Sequence, residues 1–198
     1  SVESAMNTPY EPYRKFGGPP AQINDHLLQI ANEYYFPIRM KPTPHDEGFL
    51  EGLKNTGVAY IELRILDINP HTPTGVDVMS LRFSHLFMMY CWLQASPGLL
   101  EEQKAADKRQ EQVAVRGRQE LPLEYQQAGQ EMLDDMATLA RHLGADYEAA
   151  FAYYQAEFEN PKTLHWKKML DEMAARDEDF IEYHLAKARE HHATLKNV

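Results

Sequence analysis

Val58-Ala59-Tyr60-Ile61-Glu62-Leu63-Arg64-Ile65-Leu66 alternates with a period of two, the period with which an extended chain sends side chains to opposite faces of a sheet. Tyr60, Glu62 and Arg64 fall on one side and Ile61, Leu63 and Ile65 on the other, so one face is expected to be core and the other polar. A carboxylate and a guanidinium side by side in an apolar strand must solvate, pair or face a ligand, because burying an unpaired charge is costly. From the spacing alone, a Glu62–Arg64 pair on a solvent-exposed sheet face is the plainer reading. Residues 67–77, with Pro70, Pro73 and Gly75, have the turn chemistry of a rigid loop, and Asp77 stands where a helix cap belongs. The plainer reading of that loop is a packing turn.

Downstream, residues 78–93 are apolar nearly all round, which predicts a buried central helix stopped by Pro97-Gly98. The remainder reads as helices: a polar one over 100–115, then 124–143 with the stripe Ala128, Met132, Met136, Leu139 and Leu143, ended by Gly144. Residues 146–158 carry Tyr147, Phe151, Tyr154 and Phe158, a stripe that reads as bundle core, and Asn160-Pro161 breaks that helix. Thr163 is expected to cap a helix bearing Trp166, Met169, Leu170 and Met173, and Asp177 to start the last one.

Upstream, residues 1–20 mix Pro9, Pro12, Gly17, Gly18, Pro19 and Pro20 with aromatic residues, a composition that predicts a loop. The segment 23–38 reads as strand, closed by Pro42 and Pro44, and a short helix is expected over 46–56 before Gly57. If the strand pattern continues, Glu33, Tyr35, Arg39 and Lys41 share a face, where two basic groups and a phenol would suit an anionic ligand. Ten of the twelve prolines lie in the first 99 residues, so the two halves of the 198-residue chain must be built differently.

The net charge of −10 offers no broad basic surface for phosphates, and nucleic acid is not expected as a partner. No apolar run approaches the roughly 18 residues of a spanning helix, and no membrane partner is expected. Cys91 has nothing to pair with inside the chain, and its neighbours Met88, Met89, Tyr90, Trp92 and Leu93 suggest burial rather than reactivity; a reducing, cytoplasmic location is expected. The first five residues lack the features of a signal peptide, and since position 1 is Ser the chain is expected to be cut from something longer. The nine histidines form no metal signature, and no P-loop or Rossmann glycine motif occurs.

The run 27–39, Leu-Leu-Gln-Ile-Ala-Asn-Glu-Tyr-Tyr-Phe-Pro-Ile-Arg, followed by Gly57 to Pro70 and by Pro73-Thr74-Gly75-Val76-Asp77, resembles the proteobacterial-type glutamate–cysteine ligases. The likeness extends more weakly through Arg82-Phe83, Leu86-Phe87, Val115 to Arg118 and Phe158 to Pro161, from about residue 22 onward. The resemblance implies ATP-dependent joining of the γ-carboxylate of glutamate to the amine of cysteine through a γ-glutamyl phosphate, with Mg2+, the first step of glutathione synthesis. It implies that Glu62 is a magnesium ligand, that Arg64 contacts the phosphate being transferred and that Tyr35 lies at the substrate site. A hard cation needs carboxylate oxygen and a developing phosphoryl charge a fixed guanidinium, which agrees with those assignments.

The expected fold is α+β: a few antiparallel strands of a glutamine-synthetase-like sheet within 22–77, an irregular segment over 1–21 and a helical bundle over 78–198. Ligases of this type are more than twice as long, with their other acidic metal ligands in an N-terminal half. The chain is therefore expected to be the C-terminal portion, inactive alone, with that half as its partner and strand edges otherwise exposed. The alternatives are a non-catalytic or split-subunit relative acting as an interaction module, and a carboxylate–amine ligase with another amine acceptor.

Overall fold

The computed structural model describes residues 2–14, 22–44, 48–95, 99–116 and 120–196, so the turn-rich stretch Gly17 to Pro20, the Pro97-Gly98 stop and Gly117-Arg118 lie outside the described residues. The chain folds as two units, Ser1–Asp67 and Ile68–Val198. Together they give the expected α+β class, a small antiparallel sheet followed by helices.

In Ser1–Asp67 the sheet has two strands among the described residues, β1 (Ile38–Lys41) and β2 (Tyr60–Leu63), paired antiparallel with Arg39 opposite Glu62 and Lys41 opposite Tyr60. Bonds from the Ala59 amide to the Lys41 carbonyl (2.8 Å) and from the Arg64 amide to the Pro37 carbonyl (2.7 Å) extend the ladder at both ends. Between the strands, α3 (Phe49–Thr56) ends at Gly57, whose φ of 74° is the left-handed backbone that glycine tolerates.

Two expectations fail in this unit. Helices α1 (Val2–Asn7) and α2 (Glu11–Arg14) form in the segment read as a loop, because Pro9 falls between the two helices and Pro12 within the first turn of α2, where no intrahelical amide is lost. The strand expected over 23–38 is confined to Ile38, where β1 begins, and residues 31–33 form a 3-10 turn. Side chains have taken the amides that a ladder would use: Asn24 Oδ1 accepts from His26 N at 2.9 Å, Gln29 Oε1 from Asn24 N at 2.6 Å and Glu33 Oε2 from Gln29 N at 2.5 Å.

In Ile68–Val198, the loop after Ile68 closes on itself: Asn69 N donates to the Gly75 carbonyl (2.7 Å), Gly75 N to Thr72 (3.1 Å), and Asn69 Oδ1 accepts the His71 amide (3.0 Å). Asp77 then caps α4 (Val78–Leu93), its Oδ1 accepting the Ser80 amide at 2.7 Å. Helix α5 (Leu99–Arg116) is polar and exposed over residues 102–116, whereas α6 (Leu123–Leu143) and α7 (Ala145–Glu159) pack against each other and against α4. Leu86 of α4, Leu133, Met136 and Ala140 of α6 and Phe151 of α7 form the buried core, flanked by half-buried Phe83, Tyr90, Tyr147 and Phe158. Helices α8 (His165–Arg176) and α9 (Phe180–Leu195) complete the unit, with fully buried Tyr183 donating its hydroxyl to Glu172 at 2.9 Å.

Helix α4 is only half-buried, contrary to its all-round apolarity: Val78, Leu81, Cys91 and Leu93 are exposed and Trp92 is 89% exposed. Helices α6 and α7 cover one flank of α4, so apolar composition exceeds what this unit can bury. Cys91, expected to be buried, is thus exposed, although desolvation by its neighbours pushes its thiol up. Cap assignments in the last two helices also shift. Leu164, not Thr163, precedes α8, because Thr163 is held in a 3-10 turn by the Asn160 carbonyl. Asp177 is the left-handed terminus of α8 (φ 54°), and Asp179, in a reciprocal box with Glu182, starts α9. Among the described residues no helix is long and apolar enough to cross a membrane.

Candidate functional site

Glu62 owes its surroundings to strand register. Pairing Arg39 with Glu62 and Lys41 with Tyr60 puts these four side chains on one face of the two-stranded sheet, and Arg64, two residues beyond Glu62, continues it. Arg64 grips a single oxygen of Glu62, with Nη2 at 2.6 Å and Nε at 3.1 Å from Oε2, while Lys41 Nζ takes Oε1 at 3.1 Å. These contacts, Arg64 first and Lys41 second, hold the Glu62 carboxyl below the ordinary carboxylate range.

Tyr35 joins the same cluster from the segment before β1. Its hydroxyl donates to the Arg64 carbonyl at 3.2 Å, and the Arg64 guanidinium carbon lies 5.8 Å from its ring centre, within cation–π range. The ring is 70% exposed, so it can flank a ligand seated on Arg64. Thus Tyr35, Glu62 and Arg64, far apart or merely alternate in sequence, are brought into one group. Arg39 is 9% exposed, its guanidinium over the Phe49 ring at 4.8 Å. Glu33 is not on this face; its carboxylate serves the amides of Gln29 and Ile30.

Among the described residues Glu62 is held by two cations, Arg64 and Lys41, whose remaining donors suit phosphate or carboxylate oxygens. The group does not by itself suit a magnesium cluster. Among the described residues no three His, Cys, Asp or Glu side chains converge on a metal position, and both oxygens of Glu62 are already bound by cations. Lys41 as the second partner of Glu62 was not evident from sequence, since only the register places it there.

The opposite sheet face carries the apolar residues expected to be core, and it is not covered within this unit: Ile38, Met40, Ile61 and Ile65 are all exposed. Alternation sorted the two faces correctly, but burial needs a partner layer, and none of the described elements of Ser1–Asp67 supplies one.

The sequence profile of the family described as Glutamate-cysteine ligase matches residues 1–113. The chain is 34% identical to the glutamate–cysteine ligase of Saccharophagus degradans over 97% of its own length and 40% of that protein. Against the same enzyme of Pseudomonas putida (strain W619) it is 32% identical over 99% of its own length and 41% of the relative. The crystal structure of glutamate–cysteine ligase from Francisella tularensis in complex with AMP superposes on the whole chain and 43% of that protein, with a TM-score of 0.83 and 23% identity. The chain thus spans about 40% of the length of the curated relatives it matches.

Proposed function

The chain belongs to the glutamate–cysteine ligase family, and from that premise we propose that it supplies the C-terminal, phosphate-facing part of an ATP-dependent ligase that joins glutamate to cysteine. One observation carries this reading: Arg64 is fixed beside Glu62 on the half-buried polar sheet face, with the exposed Tyr35 against it. A guanidinium held in place before substrate arrives stabilises charge developing on a transferred phosphoryl group without reorganising. In this reading Arg64 meets that group, Tyr35 borders the amino-acid substrate, and Glu62 would supply one oxygen ligand to magnesium only by giving up its Lys41 contact at Oε1, the other ligands coming from the rest of the ligase.

The uncovered apolar face of Ile38, Met40, Ile61 and Ile65 supports a second element of the proposal, that the remaining ligase sequence packs over the sheet. Alone, with a single carboxylate bound to Arg64 among the described residues, the chain should not turn over. The test is reconstitution: co-expression with the N-terminal part of a related ligase should restore ATP- and magnesium-dependent formation of γ-glutamylcysteine. Glu62→Ala and Arg64→Ala should then abolish it while leaving the circular dichroism unchanged. Wild-type turnover in both variants would defeat the site assignment, and failure of every complement to restore ligation would leave a non-catalytic relative. Turnover with other amines but not cysteine would move the assignment to a different acceptor.

A further inference from the structure

Helix α9 carries two faces, and its own unit uses one of them. Tyr183, Lys187 and His191 form the inner side: the Tyr183 hydroxyl and Lys187 Nζ meet Glu172 of α8 at 2.9 and 3.0 Å, and His191 Nε2 donates to the Pro70 carbonyl at 2.9 Å. Away from that side stand Ile181, Leu185, Ala188, His192 and Leu195, all exposed, with Ile181, Leu185 and Leu195 at 67, 50 and 57%. They lie 4, 3, 4 and 3 residues apart, the spacing of a heptad seam with which one helix packs along another. A helix that only lies on its own domain needs one buried face, which α9 has at Tyr183; the seam is left open to solvent among the described residues.

Flanking charge decides what fits along the seam. Glu182 and Arg189, one heptad apart and both exposed, border it on the same side. One Glu182 oxygen accepts the Asp179 amide at 3.1 Å, and the other has capacity for a further donor. A second α9 running parallel would set Arg189 against His184 and Lys196 against His191, with no carboxylate opposite either. An antiparallel second α9, with Ile181 opposite His192 and Leu185 opposite Ala188, sets Glu182 of each copy against Arg189 of the other, twice by symmetry. Sliding that register by a heptad in either direction brings Arg189 against Arg189 or Glu182 against Glu182, a like-charge contact.

We propose that the exposed stripe of α9 is an interface between two copies of this chain, joined as an antiparallel, two-fold helix pair with Ile181, Leu185, Ala188 and His192 in its seam and Glu182–Arg189 pairs at its border. The small Ala188 side chain faces the large Leu185 in each of the two inner layers, which lets the helices approach closely. Four layers of side chains bury less than the about 1,000 Å2 of a stable complex, so the association is weak, with a dissociation constant on the order of 100 μM. The proposal stands on α9 alone and holds whether or not the ligase reading does.

The test is sedimentation equilibrium of the 198-residue chain up to about 1 mM, with backbone amide NMR over the same range. A monomer–dimer equilibrium is expected, with concentration-dependent shifts concentrated in residues 180–195. Leu185→Glu should weaken it at least about tenfold, and so should Arg189→Glu and Glu182→Arg taken separately, because each turns both border pairs into like charges. Circular dichroism reports whether α9 persists in each variant, since Glu182→Arg gives up the bond to the Asp179 amide. An equimolar mixture of Arg189→Glu and Glu182→Arg should associate again, because every border pair in the mixed dimer joins opposite charges. A chain that stays monomeric at about 1 mM would overturn the proposal, and so would a mixture no tighter than its components. Amides of 180–195 that ignore concentration and move only when the N-terminal part of a related ligase is bound would also overturn it, and would assign the stripe to that part.

Discussion

Glu62 and Arg64 form a one-sided fork: both donors of the guanidinium, at 2.6 and 3.1 Å, converge on the same carboxylate oxygen, Oε2. The other oxygen is thereby left to Lys41 at 3.1 Å. The carboxylate is held between two cations of different reach, and their contributions to its acidity are separable. Arg64→Gln should raise the Glu62 pKa part of the way toward the ordinary value, and Lys41→Gln should do so less, because the hydrogen bonding of Arg64 is the largest cause of the depression. Side-chain carboxyl NMR titration of the three proteins checks the order. Equal shifts, or a larger one for Lys41→Gln, would contradict the geometry.

Asp77 is the hinge of the second unit, capping α4 through Oδ1 and holding Asn69 through Oδ2. Replacing it with alanine removes both bonds and should cost about 1–2 kcal/mol of unfolding free energy, the upper part of the usual N-cap range. Asp77→Asn should cost less than half of that, since the cap acceptor survives. Urea unfolding followed at 222 nm measures both, and equal losses would mean that the cap is not what the carboxylate contributes.

The acid response of the same region follows from His71. Burial, first of all, pushes its pKa below the ordinary value; Glu172 opposes the shift, while Lys187, His165 and Lys168 add to it. A folded pKa below the unfolded one means that the unfolded chain binds more protons in the window between them. The stabilisation from neutral His71 is therefore complete above about pH 6.5, declines as the pH falls through that value, and levels off below the folded pKa. Urea midpoints measured stepwise from slightly alkaline to mildly acidic pH should fall over this window in the parent chain and fall less in His71→Gln. An identical decline in both would assign it to another group.

Local chemistry was legible wherever neighbours in sequence are neighbours in space. The β2 alternation, the Asp77 cap, the Gly57 and Gly144 helix ends and the α7 aromatic stripe all read directly from residue type and spacing. Two kinds of information were not local. The 23–38 segment looks extended by composition, yet Asn24, Gln29 and Glu33 bind its amides, and no periodicity reports that competition. Burial is the other: the same apolar residues that mark a core face in β2 and α4 remain exposed at Ile61, Ile65 and Trp92, because burial belongs to a pair of surfaces and no described element covers these residues. At the candidate site the pairing of Glu62 with Arg64 was readable from their spacing. The Lys41 contact needed the register, and the approach of Asn69 to His165 spans 96 residues.

Gly129 tests whether the α6–α7 contact is as tight as its geometry states. It lies inside α6, where alanine is normally favoured by about 1 kcal/mol over glycine. A methyl group there would stand 2.6 Å from Phe158 Cζ and 2.8 Å from Cε2, closer than carbon atoms approach. The ring of Phe158 is half-buried against the core of Leu133, Met136 and Phe151, so it cannot yield without disturbing the packing of α7. Gly129→Ala should therefore destabilise the unit by about 1–3 kcal/mol, opposite in sign to the helix-propensity effect. Adding Phe158→Leu, which removes the ring atoms in question, should recover part of the loss, so that the double variant is more stable than additivity predicts. A stabilised Gly129→Ala, or strict additivity with Phe158→Leu in urea unfolding, would show that the two helices stand further apart than described.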